Sequence, residues 1–406
     1  VQIYDLKNKK LIFLKKKYRI LKKSLKMSKK SPSPAFAWDY FQKLFSQKKI
    51  PANAYHILST QEQRAIRTIE FTALCLSASL GALGVIMLYL PLYFFPQYFW
   101  NLSITLPWGG LWDFPLAFTL YGLVLAVAEI VALLFLNLRT VFRISQVCGY
   151  PNPTDVDYEK HLNELFEVSF DKQNTNILAY GLNPLEGLSK NQILAFTAFN
   201  MLKATLSNWL LKFILTRVLA RLTVVRYVDL IGIPVFAAWD AYATYRVMRE
   251  AKVRIMAMNV IRNLAQQLHH KFKDRTDFKE ILLESLQLIA MAKRTFHHNH
   301  YWLADYIIRT FGLSIQRQSP LKLEDILEKI RPLDFEERQG LAKLFILGMI
   351  IDGKLSRRER KVLEEFTQAG MLQFDKKKLR EWAHSFLSGK GLSDLFSAKV
   401  VASNQA

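Results

Sequence analysis

Between Ile69 and Leu138 the chain contains no lysine and no arginine, although it holds 56 of them in 406 residues and carries a formal net charge of +22. Cations are what a bilayer tolerates least at its centre, so a 70-residue gap in so basic a chain points to insertion in a membrane. Cysteine is nearly absent too. Cys75 and Cys148 are the only two and no C-x-x-C pair occurs, which excludes a disulfide framework and a zinc ribbon. Also missing are a P-loop, a dinucleotide fingerprint, a nucleophile elbow and the H-E-x-x-H or H-x-x-E-H spacing of zinc hydrolases. Neither catalysis nor a cofactor is expected. Nor does a nucleic-acid recognition motif accompany the charge. Residues 139–406 carry 39 cations against 28 acids, an excess for which anionic lipid is the simpler partner.

What fills the gap is apolar. Two blocks, about 71–95 and 114–138, each run about 25 residues, more than the ~20 a helix needs to cross the hydrocarbon core. Between them lie Tyr98, Phe99, Trp100, Trp108 and Trp112, aromatics whose apolar rings and polar edges suit the headgroup layer. The expectation for 69–138 is a transmembrane helical hairpin. Residues 1–68 carry 17 cations against Asp5, Asp39 and Glu62, and Arg139 and Arg143 follow the second block, so both flanks are assigned to the cytoplasm. Met27-Ser-Lys-Lys reads as an initiation site and residues 1–26 as a mis-assigned extension of the start. Residues 27–68 alone keep seven cations against two acids and hence the same orientation.

Glu129 lies near the middle of the second block, and an ionisable group at that depth marks function by default. Equal depth on the first block falls near Ser77-Ala-Ser-Leu-Gly-Ala-Leu-Gly84, where small residues permit close helix contact. A protonated Glu129 bonded to Ser77 or Ser79 is the simplest arrangement. A proton or ion relay through Glu129 needs partners from a homo-oligomer, because neither block supplies a Lys or Arg.

Elsewhere no strand-like alternation of any length is visible, so the fold class expected is all-α. After the linker Ser31-Pro-Ser-Pro34, residues 36–49 put Trp38, Phe41 and Phe45 on one helical face. That face reads either as an interfacial helix or as one packed on the cytoplasmic part. Residues 139–320 form a basic helical region whose first helix has Thr154 or Asp155 as its expected cap. Within it, Lys190–Arg226 contains Lys203, Lys212, Arg217, Arg221 and Arg226, and no acid occurs between Glu186 and Asp229. Its central cations argue against a third span. A basic amphipathic helix on the inner leaflet and a core helix with a solvated basic face remain as equal readings. A long helix from about Val235 to Leu268 follows from the spacing of Val247, Ile255, Met258, Ile261, Leu264 and Leu268.

Residues 321–390 are the most legible cytoplasmic stretch, and 391–406 a tail. Asp334 with Glu337 and Ser356 with Glu359 have the spacing of capping boxes. Leu341, Leu344, Phe345, Gly348 and Ile351 make one stripe, continued by Val362, Leu363 and Phe366 and then by Leu379, Trp382 and Phe386. The joint, Asp352-Gly353-Lys-Leu-Ser356-Arg-Arg-Glu359, resembles the D-G-x-[IL]-s-x-x-E hallmark of the TerB-like fold of tellurite-resistance proteins and membrane-anchored DnaJ-type co-chaperones. The likeness implies a small helical module that binds partners, with Asp352 and Glu359 as its acidic, metal-candidate positions. Taken from the residues alone, an Asp-Gly turn and a helix cap are the simpler account, because Lys354, Arg357, Arg358 and Arg360 surround the two acids. An EF-hand is excluded, since Gly348 and Ile350 fall where its first and third ligands belong. Gly-Ile-Pro-Val-Phe-Ala-Ala-Trp-Asp-Ala, from Gly232, running into Arg246-Val-Met-Arg-Glu-Ala resembles the C-terminal part of EcsC-type bacterial membrane-associated proteins. Together the two likenesses imply a bacterial inner-membrane protein serving stress response or envelope quality control through a protein partner. His269-His270 and His297-His-Asn-His300, with Asp305 one turn on, invite a metal reading but lack catalytic ligand spacing, and a solvated or interfacial role is simpler.

Overall fold

The computed structural model describes residues 35–47, 58–105, 111–114, 116–169, 189, 192, 229–294, 297–313, 323–368, 376–398 and 400. The expected basic surface segment with Lys203, Lys212, Arg217, Arg221 and Arg226 lies outside them, as do residues 1–34. Residues 1–49 and 50–406 are two separate units. In the first, α1 (Ala35–Gln47) has Phe41 and Phe45 buried with their ring centroids 4.9 Å apart, and Trp38 half-buried.

The second unit opens on a 35-residue helix, α2 (Thr60–Phe94). Its start is a capping box: Ser59 Oγ accepts from Glu62 N–H at 3.2 Å, and Glu62 accepts from Ser59 N–H at 2.8 Å. After a 3₁₀ turn at Pro96–Tyr98 the chain forms two short antiparallel strands, β1 (Leu102–Thr105) and β2 (Leu111–Phe114), with Ser103 opposite Asp113. This hairpin corrects the strand-free expectation. Four-residue strands are too short for a period of two to be read, although Gly109-Gly110 and the flanking Ile, Thr and aromatic residues carried the signal. Helix α3 (Leu116–Val147) returns. Both long helices outrun the expected blocks, because nothing breaks the helix where the apolar stretch ends. Each is long and apolar enough to cross a membrane.

Next come α4 (Tyr158–Val168) and the 44-residue α5 (Asp229–Phe272). The N-cap of α4 is Asp157, not Thr154 or Asp155, and its side chain makes no cap bond. Instead Asp157 binds Lys160 at 2.6 Å and Arg309 at 3.0 Å, while Asp155 binds Arg262. Helix α5 begins six residues before the expected Val235 and runs through Pro234. A proline this near a helix N-terminus disturbs few i→i−4 bonds, so the helix runs through it.

The remaining helices are α6 (Thr276–Lys293), α7 (His298–Phe311), α8 (Leu323–Ile330), α9 (Phe335–Ile350), α10 (Arg357–Gln368), α11 (Lys376–Leu387) and α12 (Ser393–Ser397). Apart from β1 and β2, the described residues are helical or irregular. Helix α9 starts at the Asp334–Glu337 capping box. It is more central than one stripe implies, because Leu341 to Ile350 are buried on nearly every side. A Cβ on Gly340 would stand 2.9 Å from Leu268, and one on Gly348 would stand 2.6 Å from Ile289, so these glycines let α9 press on α5 and α6. The rings of Phe345 and of Phe366 on α10 pack tilted, their centroids 4.7 Å apart.

Candidate functional site

Two acids stand against the middle of α2. A Cβ on Gly84 would lie 2.8 Å from Oε1 of Glu129 on α3, and a Cβ on Gly81 would lie 2.8 Å from Oδ2 of Asp240 and 2.6 Å from the Phe236 carbonyl of α5. Cβ positions three residues apart on a helix are about 5–6 Å apart. The two carboxyl groups therefore sit on neighbouring faces of α2 at one level, and both side chains are buried. Missing side chains at two positions let three helices meet here, the contact expected of the Ser77–Gly84 stretch.

The partners differ from expectation. Glu129 is seated on Gly84, more than a turn beyond Ser77 and Ser79. Ser77 is buried and donates its hydroxyl to the Leu74 carbonyl at 3.0 Å, whereas Ser79 is exposed. Depth had been matched by counting from the block ends, and longer helices shift that register. Asp240 was not among the expected site residues. Its position inside 19 residues free of Lys and Arg, 227–245, was the available signal.

A second constellation lies at the α9–α10 joint. Ser356 and Glu359 form the expected cap, with Glu359 N–H to Ser356 Oγ at 3.3 Å and Ser356 N–H to Glu359 Oε2 at 2.9 Å. Gly353 supplies a positive φ of 68° for the turn, and Asp352 accepts from the Lys354 N–H at 3.0 Å. Into this joint reaches Lys293, the last residue of α6, its side chain only 1% exposed. The ammonium is 2.9 Å from Asp352 Oδ1, 3.1 Å from Glu359 Oε2 and 2.7 Å from the Met349 carbonyl. A fixed cation of the chain thus occupies the place between the two acids that a metal would take. Burial works against the Asp352 charge, but Lys293 outweighs it and holds the carboxyl below its ordinary range. Lysine at 293 carries no sequence signal, since it lies 59 residues before Asp352.

The histidines of α7 diverge. His297 bonds Glu250 at 2.8 Å, His298 pairs with Glu164 at 2.5 Å, and His300 bonds the Gly348 carbonyl at 2.9 Å. Between them Asn299 donates to the carbonyls of Val253 (3.1 Å) and Ile351 (2.7 Å). One helix turn thereby fastens α4, α5 and α9. Buried His161 lies between Asp155 at 3.6 Å and Glu164 at 3.7 Å, and the Trp302 indole donates to Glu164 at 2.8 Å. Burial opposes ionisation of Glu164, but His161 and His298 beside it bring its pKa down to about 2. His300 is pushed down to about 3 by burial first and by Lys293 next. Arg262 closes the network on Asp155 and on the Tyr306 hydroxyl, whose pKa burial raises to about 12.

A cleft of about 410 Å³ separates α5 from α11 and α12, lined by Asn259, Asn263 and Gln267 on one side and Phe386, Leu392 and Phe396 on the other. Amides and rings give it no general acid, base or metal ligand. Among the described residues no three His, Cys, Asp or Glu side chains converge as metal ligands. These sites join helices: Glu129 and Asp240 within the apolar bundle, and Lys293 at the end of α6 with the α9–α10 joint. In comparisons with protein-family models, curated proteins and solved structures, nothing matches this chain.

Proposed function

We propose that this chain is a non-catalytic membrane-anchored scaffold of the bacterial inner membrane. In this reading α2 and α3 cross the bilayer as a hairpin, and the N-terminal segment and the C-terminal helices lie in the cytoplasm. The observation that carries it is where the apolar side chains of α2 and α3 point. In the most apolar 18 residues of each helix only 28% are buried, and Phe71 (69% exposed), Tyr93 (82%) and Val124 (66%) face outward. A core helix of a soluble protein buries such residues, whereas lipid tails accept them. The test is extraction and labelling. The full chain should stay with membranes through alkaline carbonate, and Ser103→Cys should react with an impermeant maleimide from outside intact cells. Release by carbonate, or labelling only after permeabilisation, would end this reading.

The cytoplasmic part, with its TerB-like joint at Asp352, Gly353, Ser356 and Glu359, presents a helical surface to a protein partner in stress response or envelope quality control. Lys203, Lys212, Arg217, Arg221 and Arg226 bind anionic lipid, each near the surface contributing roughly 1 kcal/mol. Replacing Lys212, Arg217 and Arg221 by Gln should reduce the protein's preference for anionic over neutral nanodiscs, and high salt should reproduce that loss. Trp38, Phe41 and Phe45 are not needed in this account.

A transport role in a homo-oligomer is the second reading, favoured by two buried acids, Asp240 and Glu129, set against Gly81 and Gly84 within one turn of α2. Proton or cation flux through proteoliposomes, lost in Glu129→Gln, would support it over the scaffold.

A further inference from the structure

We propose that the first part of α5, from Asp229 to about Tyr245, is a third membrane-embedded helix, packed on α2 at Gly81 and turning Val235, Trp239, Tyr242 and Tyr245 to the lipid acyl chains. The proposal rests on the membrane reading of α2 and α3, and it revises both the expectation that everything after Leu138 is cytoplasmic and the inner-leaflet placing of Arg226, three residues before Asp229.

Register is the first support. Asp240 and Phe236 meet α2 at Gly81, and Lys252 pairs with Glu70 at 2.5 Å, so twelve residues forward on α5 match eleven backward on α2. The helices are antiparallel along this length. At 1.5 Å per residue, Asp229 lies about 17 Å beyond Asp240, level with the Pro91–Phe94 end of α2. The start of α5 and the start of β1 are therefore at the same end of the bundle.

The outward face is the second. Val235 (57% exposed), Trp239, Tyr242 (60%) and Tyr245 recur every three or four residues on one side of α5, while Asp240 and Thr244 on the other side are fully buried. A helix covered by water would carry charge on that side, and one lying in the interface would carry Lys or Arg there. This one carries large apolar and aromatic groups, continuous with the outward faces of α2 and α3.

Charge supplies the third. Helix α3 runs antiparallel to α2, since Leu88 lies against Gly122 and Glu129 against Gly84. Arg139, ten residues past Glu129, is then level with Leu74, and Arg246, six past Asp240, is level with Cys75. The first cations of two helices with unrelated sequences thus stop at one plane, about one turn inside Glu70. Residues 229–245, the cation-free part of α5, rise about 26 Å as a helix, close to the ~30 Å thickness of the hydrocarbon core. Glu164, whose carbonyl accepts from Arg254, lies on the cytoplasmic side of that plane.

Impermeant-maleimide labelling of the full chain in intact cells tests this, with Cys75→Ala and Cys148→Ala as background. Asp229→Cys and Leu230→Cys should label from outside as Ser103→Cys does, while Ser393→Cys should label only after permeabilisation. A nitroxide on Tyr242→Cys should be more accessible to oxygen than to a polar nickel chelate. If Asp229→Cys and Leu230→Cys need permeabilisation while Ser103→Cys does not, α5 does not cross and the hairpin alone stands. If Ser103→Cys also needs it, both readings fall. Should neither α5 position react on either side, the Tyr242 nitroxide decides, and greater access for the chelate overturns the proposal.

Discussion

Lys293 is held by two carboxylates and a carbonyl in a site almost closed to water. Breaking a buried ion cluster from one side leaves uncompensated charge, which costs about 3–5 kcal/mol. Lys293→Met should therefore lower the melting temperature of the detergent-purified protein sharply. The triple variant with Asp352→Asn and Glu359→Gln should recover part of the loss, and a triple variant no more stable than the single one would show that the cluster is not the cause. Ser356→Ala removes only the cap, with an expected cost of about 0.5–2 kcal/mol.

His300 gives the residue scale its pH dependence. Its pKa falls from 6.5 to about 3 on folding, so between those values the unfolded chain binds more protons than the native one. Stability is then complete above pH 6.5 and is lost as pH falls through the window, by on the order of 2–3 kcal/mol at pH 4.5. Glu164 adds a second loss. Its pKa drops from 4.5 to about 2, so the stabilisation it provides above pH 4.5 disappears as pH falls towards 2. Melting curves at pH 7.5 and 5 should show a smaller acid loss in His300→Gln, which can still donate to the Gly348 carbonyl. An unchanged difference would exclude His300 as its source.

At the scale of elements, the two glycines of α2 are not equivalent. A methyl on Gly81 meets the Phe236 backbone carbonyl at 2.6 Å, and backbone in a packed helix cannot step aside. A methyl on Gly84 meets the end of the Glu129 side chain, which can rotate. Gly81→Ala should thus destabilise by about 1–3 kcal/mol and Gly84→Ala by clearly less, read as loss of melting temperature. Equal effects would mean that α2 and α5 do not pack through Gly81. The same scale shows what pattern could convey. Long apolar helices, the Asp334 and Ser356 caps and the core positions of α9 and α11 follow from local periodicity and capping chemistry, and all are found. The strands β1 and β2, the early start of α5 and the N-cap of α4 were missed, because four residues or one cap lie below the resolution of a periodic pattern.

For the whole molecule, the exposed apolar belt predicts dependence on lipid or detergent. Removing detergent from the purified chain should drive aggregation unless bilayer is supplied, and a monodisperse detergent-free protein would contradict the anchor. Helix α5 ties that belt to the terminal module directly. Its Arg249, four residues past the cation-free stretch that ends at Tyr245, donates to the Gly353 carbonyl at 3.0 Å.

Composition and spacing were enough to determine that the chain is helical, that two segments suit a bilayer, where its charge boundary falls at residues 69 and 138, and that two capping boxes frame the terminal helices. Those properties are local: each depends on residues within a few turns of one another, and on a solvent that selects for apolarity. Which groups meet across helices was decided only in three dimensions. Lys293 neutralising Asp352 and Glu359, the three histidines parting to three partners, and Asp240 and Glu129 both seated on glycines of α2 all depend on contacts between residues 45 to 159 positions apart. No periodicity relates such positions, because the register between two helices is set by side chains pressing together.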